Sequence, residues 1–111
     1  MATETEFTVV LSTAGSAAEA VSIARALVDR RLAACVNIAG PVTSVFRWDG
    51  EVREEQEQLL VIKTRTSRVR ALREAYRELH PYDCPELVEL PVSGGLPPYL
   101  AWLKQETSIT D

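Results

Sequence analysis

The stretch VTSVFRWDGEVREEQEQLLVIKT, residues 42–64, predicts one long β-hairpin. Asp49-Gly50 separates two extended runs, and this dipeptide favours a type I′ turn because both central residues of that turn have positive φ. The return strand, residues 51–64, would span about 45 Å at roughly 3.3 Å per residue. A compact chain of this length has a radius of gyration near ~13 Å, hence a body about 35 Å across. We therefore predict that the hairpin either bends sharply or leaves its own subunit, and we interpret it as an arm that packs on neighbouring copies.

The residues before the hairpin predict a strand, a helix and a second strand. Residues 7–11 form a short apolar run, and residues 12–15 are typical of a turn. Ser16 and Glu19 form a capping-box pattern that predicts a helix start. The apolar stripe of this helix is Ala20, Ala24, Leu27 and Val28. Residues 33–38 predict the second strand, and Gly40-Pro41 indicates a bulge where this strand continues into the hairpin.

The residues after the hairpin predict a helix, a strand and a final helix. Thr66 or Ser67 is a candidate cap for the second helix, and Pro81 ends it. Its apolar stripe is Val69, Leu72, Tyr76 and Leu79. Residues 85–92 predict the last strand, and Pro97-Pro98 can open a short third helix. The order β-α-β-β-α-β predicts an α+β, ferredoxin-like single domain over residues 1–111, with a long β-hairpin and a C-terminal helix.

Composition narrows the class of protein. The chain has 111 residues, a net charge of −4 and a pI near 5.0, which argues against a nucleic-acid partner because such a partner needs a basic face. No apolar run is long enough to span a bilayer, and the acidic N-terminus lacks a secretory signal, so we expect no membrane partner and a cytoplasmic location. Cys35 and Cys84 form no CxxC pair and are expected to be reduced thiols.

His80 is the only histidine and lies at the predicted end of the second helix. It is a candidate metal ligand together with Cys84 or a nearby carboxylate, because imidazole and thiolate suit copper and zinc. The alternative is a residue whose position simply suits the helix dipole. Taken alone, the second interpretation is favoured, because a metal site needs several converging ligands.

Three other side chains are candidates for function, each with a structural alternative. Glu57 lies where the return strand turns apolar, so we expect it to be partly buried, and Lys63 shares its face. The pair suits a polar ligand in a groove between subunits, or a structural salt bridge. Cys35 is either a soft ligand or a small buried apolar residue. The motifs of phosphate-binding loops, serine hydrolases and zinc proteases are missing from the sequence.

Several motifs in order resemble the CutA divalent-cation tolerance proteins. They are RLAACVNI at 31–38, SVFRWDG at 44–50, Glu57 with LVIKT at 60–64, HPY at 80–82, PEL at 85–87 and YLAWL at 99–103. The resemblance runs from about Val9 to Leu103. It implies a cytoplasmic homotrimer of ferredoxin-like subunits built like the PII signalling proteins, a link to copper or other divalent-metal tolerance, and no catalytic activity.

The resemblance also implies site residues. The matching positions that are candidates for a ligand cleft between subunits are Cys35, Trp48, Glu57, Lys63, Tyr82 and Glu86. His80 and Cys84 are the candidate metal ligands. Ser12 and Leu79 stand where some relatives carry a cysteine and a second histidine. Without that cysteine and that second histidine, copper or another divalent metal is expected to bind only weakly. No organic cofactor is expected.

Three hypotheses follow from the sequence. The first is a trimeric metal-binding homeostasis protein without enzymatic activity. The second is a PII-like signalling module that binds a small metabolite around Glu57 and Lys63, and the third is a structural trimeric scaffold. If the arm builds the trimer, a charge at Leu60 or Ile62 is expected to abolish assembly.

Overall fold

The computed structural model describes residues 5–109 and has the predicted order of elements. Strands β1 (Phe7–Ala14), β2 (Cys35–Trp48), β3 (Glu51–Arg65) and β4 (Val88–Pro91) form one antiparallel sheet in the order β2-β3-β1-β4. The helices are α1 (Ala17–Asp29), α2 (Val69–Leu79) and α3 (Pro97–Glu106), and a 3-10 turn, Thr66–Arg68, leads into α2. The α+β class and the β-α-β-β-α-β order with a C-terminal helix are therefore confirmed.

The hairpin between β2 and β3 has the predicted geometry. Asp49 and Gly50 have φ values of 52° and 78°, as a type I′ turn requires, and glycine suits this left-handed position because it has no Cβ. The predicted bulge is also present, because the β2–β3 register shifts between Ala39 and Val42.

The outer half of this hairpin projects beyond the rest of the sheet. The pairing of β1 with β3 ends at Ala14 and Gln58, so residues 51–57 pair only with β2. The radius of gyration is 14.7 Å and the longest dimension is 44 Å. This radius exceeds the ~13 Å of a compact chain of the same length, as a protruding arm requires.

The core lies between the sheet and helices α1 and α2. Val10, Leu60 and Ile62 are fully buried there against Leu27 and Tyr76. Burying each such aliphatic side chain contributes about 2 kcal/mol. The expectation that Leu60 and Ile62 serve assembly is wrong, because both point into their own subunit, where a charge would disrupt the fold itself.

The opposite face of the sheet is apolar and only partly covered. Because side chains alternate along a strand, the residues next to the core positions face the other way. These are Val9, Leu11, Leu59, Val61, Val88 and Leu90, which we call the open face. Val88 and Leu90 are 48% and 43% exposed. Helix α3 covers only one end, where Leu103 packs against Phe7.

Several predicted element boundaries differ from those of the structure. The predicted turn at 12–15 is wrong, because β1 continues to Ala14 and pairs there with β3. The last strand, predicted at 85–92, is shorter and covers only Val88–Pro91. Ser16 caps α1 as predicted, its hydroxyl accepting from the Glu19 N–H at 3.1 Å, but no side chain caps α2.

The predicted helix stripes were right except at single positions. In α1 Ile23 is buried and Val28 is 42% exposed. In α2 Ala75 is buried while Leu79 is only partly so. No helix within residues 5–109 is both long and apolar enough to cross a membrane.

Candidate functional site

A cavity of about 630 Å³ lies between the projecting hairpin and the loop that follows α2. One wall is the face of the hairpin that carries Phe46, Trp48, Glu55 and Glu57, and the other wall is the loop at residues 82–86. Thr13, at the end of β1, also lines it. We call this cavity the ribbon groove.

His80 anchors the loop wall to β1. Its side chain is buried, and its Nε2 lies 2.8 Å from the Thr13 carbonyl oxygen. A carbonyl only accepts, so Nε2 carries the proton and Nδ1 is left to accept the Tyr82 N–H at 3.2 Å. Both ring nitrogens therefore hold backbone groups in place.

A second buried anchor fixes the far end of the same loop. The Ser12 hydroxyl donates to the Glu86 carbonyl at 2.7 Å and is also hydrogen-bonded to the Tyr76 hydroxyl. Since the Ser12 proton goes to Glu86, Tyr76 is the donor in its bond to Ser12. Burial, the largest influence, raises the pKa of Tyr76, so its phenol keeps the proton that this chain of bonds needs.

Tyr82 is set between the loop and the carboxylates of the groove. Its ring meets the His80 ring edge-on, with centroids 4.5 Å apart. A Cβ on Gly15 would come within 2.9 Å of the Tyr82 hydroxyl, so glycine permits this close approach. Burial, and then the charges of Glu57, Glu19 and Glu55, raise the pKa of Tyr82.

The structure brings together five of the sequence-predicted site residues. Trp48, Glu57, Tyr82, Cys84 and Glu86 all line the ribbon groove. Glu57 is partly buried, as predicted from its place at the start of the apolar part of β3.

Cys35 and Lys63 do not line this groove. They are cross-strand partners on the side of the sheet that carries the open face, and the Lys63 Nζ lies 5.9 Å from the centre of the Tyr99 ring. Lys63 is six residues from Glu57 along β3, a separation of about 20 Å. The two residues therefore do not share one groove within a subunit.

The two candidate metal ligands differ in availability. With both ring nitrogens engaged, His80 can bind a metal ion only after one of its hydrogen bonds opens. Cys84 is exposed and borders the groove. Within residues 5–109 no group of three histidine, cysteine, aspartate or glutamate side chains converges closely enough to hold a metal ion. The pairing of His80 with Cys84 stays a prediction.

Thr13, Glu55 and Asp83 also line the groove and were not predicted as site residues. The alternation of the return strand places Glu55 on the same face as Glu57, so this signal was present in the sequence. Thr13 gave no signal, because it lay in a stretch interpreted as a turn.

Comparisons with known proteins identify relatives over almost the whole chain. The family model described as "CutA1 divalent ion tolerance protein" matches residues 8–106. The "Divalent-cation tolerance protein CutA" of Thermus thermophilus is 52% identical over 99 residues, which are 89% of this chain and 96% of that protein. A solved structure of the Thermus thermophilus protein superposes with a TM-score of 0.89 at 50% identity, covering 92% of this chain and 99% of that one.

Some relatives are longer than this chain. "Protein CutA, chloroplastic" of Arabidopsis thaliana is 46% identical over 85 residues, which are 77% of this chain but 47% of that protein. The match therefore spans about half the length of the plant relative.

Proposed function

Because this chain belongs to the CutA1 divalent ion tolerance protein family, we propose that it is a cytoplasmic homotrimer that binds divalent metal ions weakly and contributes to metal homeostasis without catalysing a reaction. The observation that carries this proposal is the ribbon groove. Its lining, taken over residues 5–109, holds four carboxylates (Glu55, Glu57, Asp83 and Glu86) and the thiol of Cys84 against one guanidinium, that of Arg53. Such a lining attracts cations.

Two features support assembly into a trimer. The open face leaves apolar side chains such as Val88 and Leu90 in water, and burying that surface against another subunit is favourable. The outer hairpin, residues 51–57, pairs with nothing beyond β2 in its own subunit and extends far enough to contact a sister chain. A closed ring of three copies satisfies both features.

Cys84 is the first ligand in the metal site that we propose. Its thiolate suits copper or zinc, and the carboxylates of Asp83 and Glu86 border the same cavity. Since one subunit offers no group of three ligands within residues 5–109, water or a sister subunit completes the shell. His80 joins the set only if its bond from the Tyr82 N–H opens, and weak binding follows from this incomplete site.

Calorimetric titration with Zn²⁺, and with Cu⁺ under anaerobic reducing conditions, tests the metal site. We expect about one equivalent per subunit with sub-millimolar affinity. Cys84→Ser should weaken binding by more than about tenfold, since a direct ligand matters at least as much as an outer-shell partner. Cys35→Ser, which removes the other thiol outside the groove, is the matched control and should bind like the unmodified protein.

Two results would count against the metal site. One is the absence of binding below millimolar metal, and the other is an equal loss of affinity in both cysteine variants.

A PII-like signalling module is the second candidate function. The size of the ribbon groove favours it, because about 630 Å³ is far more room than an ion needs and falls in the range of small-molecule sites. A thermal-shift screen of nucleotides and organic acids separates the two candidates, since a ligand that binds only the native state raises its stability. A small molecule that raises the melting temperature even in the presence of a chelator, together with no metal binding, supports the signalling module. The absence of binding in both assays supports a structural scaffold.

A further inference from the structure

The charges of the ribbon groove are spread along it instead of meeting at one point. Glu55 and Glu57 belong to the hairpin wall, while Asp83 and Glu86 belong to the loop wall. No three potential metal ligands converge anywhere within residues 5–109. A compact ion would therefore neutralise only part of this lining, whereas a ligand with several separated positive charges would meet carboxylates along its length.

Among the described residues that line the groove, the one cation, Arg53, does not balance these carboxylates. Arg53 lies 3.7 Å from Glu51, at the turn end of the hairpin. The two charges of that pair partly offset each other, so the four carboxylates of the groove lining keep a net negative charge.

The aromatic side chains of the groove suit the carbon segments of such a ligand. Phe46 and Trp48 extend from the hairpin wall, and Tyr82 lies on the loop wall. Aromatic faces attract ammonium groups and pack against methylene chains. Trp48 is 55% exposed in the subunit, so its ring is available for such a contact.

Thr13 provides an independent sign that a polar group of a ligand belongs here. The residue is more than nine-tenths buried and lines the groove, and its hydroxyl is not among the fully enclosed, unpaired polar atoms of residues 5–109, so it opens onto the groove. A hydroxyl at this place can accept a hydrogen bond from a ligand or a water molecule that enters the groove. An ammonium N–H would donate to this oxygen.

We propose that the ribbon groove binds an aliphatic polyamine, a chain of ammonium groups separated by short methylene segments. The inference concerns the groove on which the proposed function rests, and it names a second, organic cation for that groove. The carboxylates pair with the ammonium groups, the aromatic rings pack on the methylenes, and Thr13 accepts one N–H.

Calorimetric titration with spermidine tests this proposal. The double variant Glu55→Gln with Glu57→Gln should weaken spermidine binding by about tenfold, the loss expected for two partly exposed charge pairs. Glu54→Gln with Glu78→Gln changes the net charge equally at two exposed positions outside the groove lining, so its affinity should stay within about twofold. Trp48→Ala should also weaken binding, which a purely electrostatic attraction would not predict. Thermal melts confirm that every variant is folded.

The outcomes separate this proposal from the metal site. Spermidine binding that survives Cys84→Ser, while Zn²⁺ binding does not, supports both. Zn²⁺ binding without spermidine binding at millimolar concentration overturns the polyamine proposal alone. Equal losses in the two double variants overturn it as well, because the groove would then respond only to net charge. Spermidine binding without any metal binding leaves the polyamine proposal standing and removes the metal site.

Discussion

Two buried side chains, Ser12 and His80, fix the loop that forms one wall of the ribbon groove. Each bonds to a backbone group far away in sequence: His80 holds the Thr13 carbonyl, and Ser12 holds the Glu86 carbonyl. The groove residues Tyr82 and Glu86 are placed by these anchors. His80 thus acts on the groove through the backbone of its neighbours, as a positioning residue.

Replacing His80 with phenylalanine tests this role. The Thr13 carbonyl and the Tyr82 N–H would both lose their partner, so we expect His80→Phe to lower the free energy of unfolding by about 2 kcal/mol. In His80→Gln the amide nitrogen still reaches Thr13, so about half of that loss is expected. Urea denaturation at one fixed protein concentration measures both. A phenylalanine variant as stable as the unmodified protein would show that these bonds do not hold the loop.

Individual site residues were only partly predictable from the sequence. The motifs marked Trp48, Glu57 and Tyr82, which do meet in the groove. They also marked Cys35 and Lys63, which lie elsewhere in the same subunit. A motif shows which residues matter together in a family, but the distance between two side chains depends on contacts distant in the sequence.

At the scale of elements, an ion pair ties the short strand β4 to helix α2. The Arg73 guanidinium donates to both carboxylate oxygens of Glu89, at 2.6 and 2.9 Å. The hydrogen bonds from Arg73 are the largest influence on Glu89 and lower its pKa. The strand has only four residues and pairs with β1 alone, so this link helps to hold it at the sheet edge.

The lowered pKa of Glu89 predicts a pH dependence of stability. The unfolded chain has the higher pKa at this carboxyl, so the stabilisation is present above that ordinary value and is lost as the pH falls through the folded value. The melting temperature of Glu89→Gln should therefore fall less between pH 7 and pH 3 than the melting temperature of the unmodified protein.

A neighbouring ion pair provides the control for this pH series. Glu74 pairs with Arg70 at 3.9 Å, and both side chains are mostly exposed, so Glu74→Gln should follow the unmodified protein. Scanning calorimetry over the pH series measures all three proteins. Identical slopes for Glu89→Gln and the unmodified protein would contradict the link.

Elements set by local chemistry were predicted well, and those set by distant contacts were not. The hairpin turn, the bulge at Gly40 and the cap at Ser16 depend on neighbouring residues, and all three are present. The end of β1 depends on β3, which continues to pair as far as Gln58. Residues 85–87 form no strand, and the Glu86 carbonyl bonds instead to the Ser12 side chain.

At the scale of the whole molecule, one subunit has two incomplete surfaces. The open face exposes Val88 and Leu90, and the outer hairpin stands clear of its own sheet. The length of the hairpin alone predicted that the outer hairpin would project. The open face could not be predicted from the sequence, because the face on which an apolar strand residue lies depends on the strand register and on which side of the sheet the helices cover. This is why Leu60 and Ile62 were mistaken for assembly residues.

The mass of the native particle, measured by size-exclusion chromatography with multi-angle light scattering, tests the trimer most directly. We predict three times the 12.3 kDa of one chain for the unmodified protein. Leu90→Glu, which charges the open face at a residue 43% exposed in the subunit, should give folded particles of one-chain mass, since assembly would bury that carboxylate. Val21→Glu on α1, at a residue 44% exposed, is the matched control and should remain trimeric. A well-folded unmodified protein of one-chain mass would contradict the account.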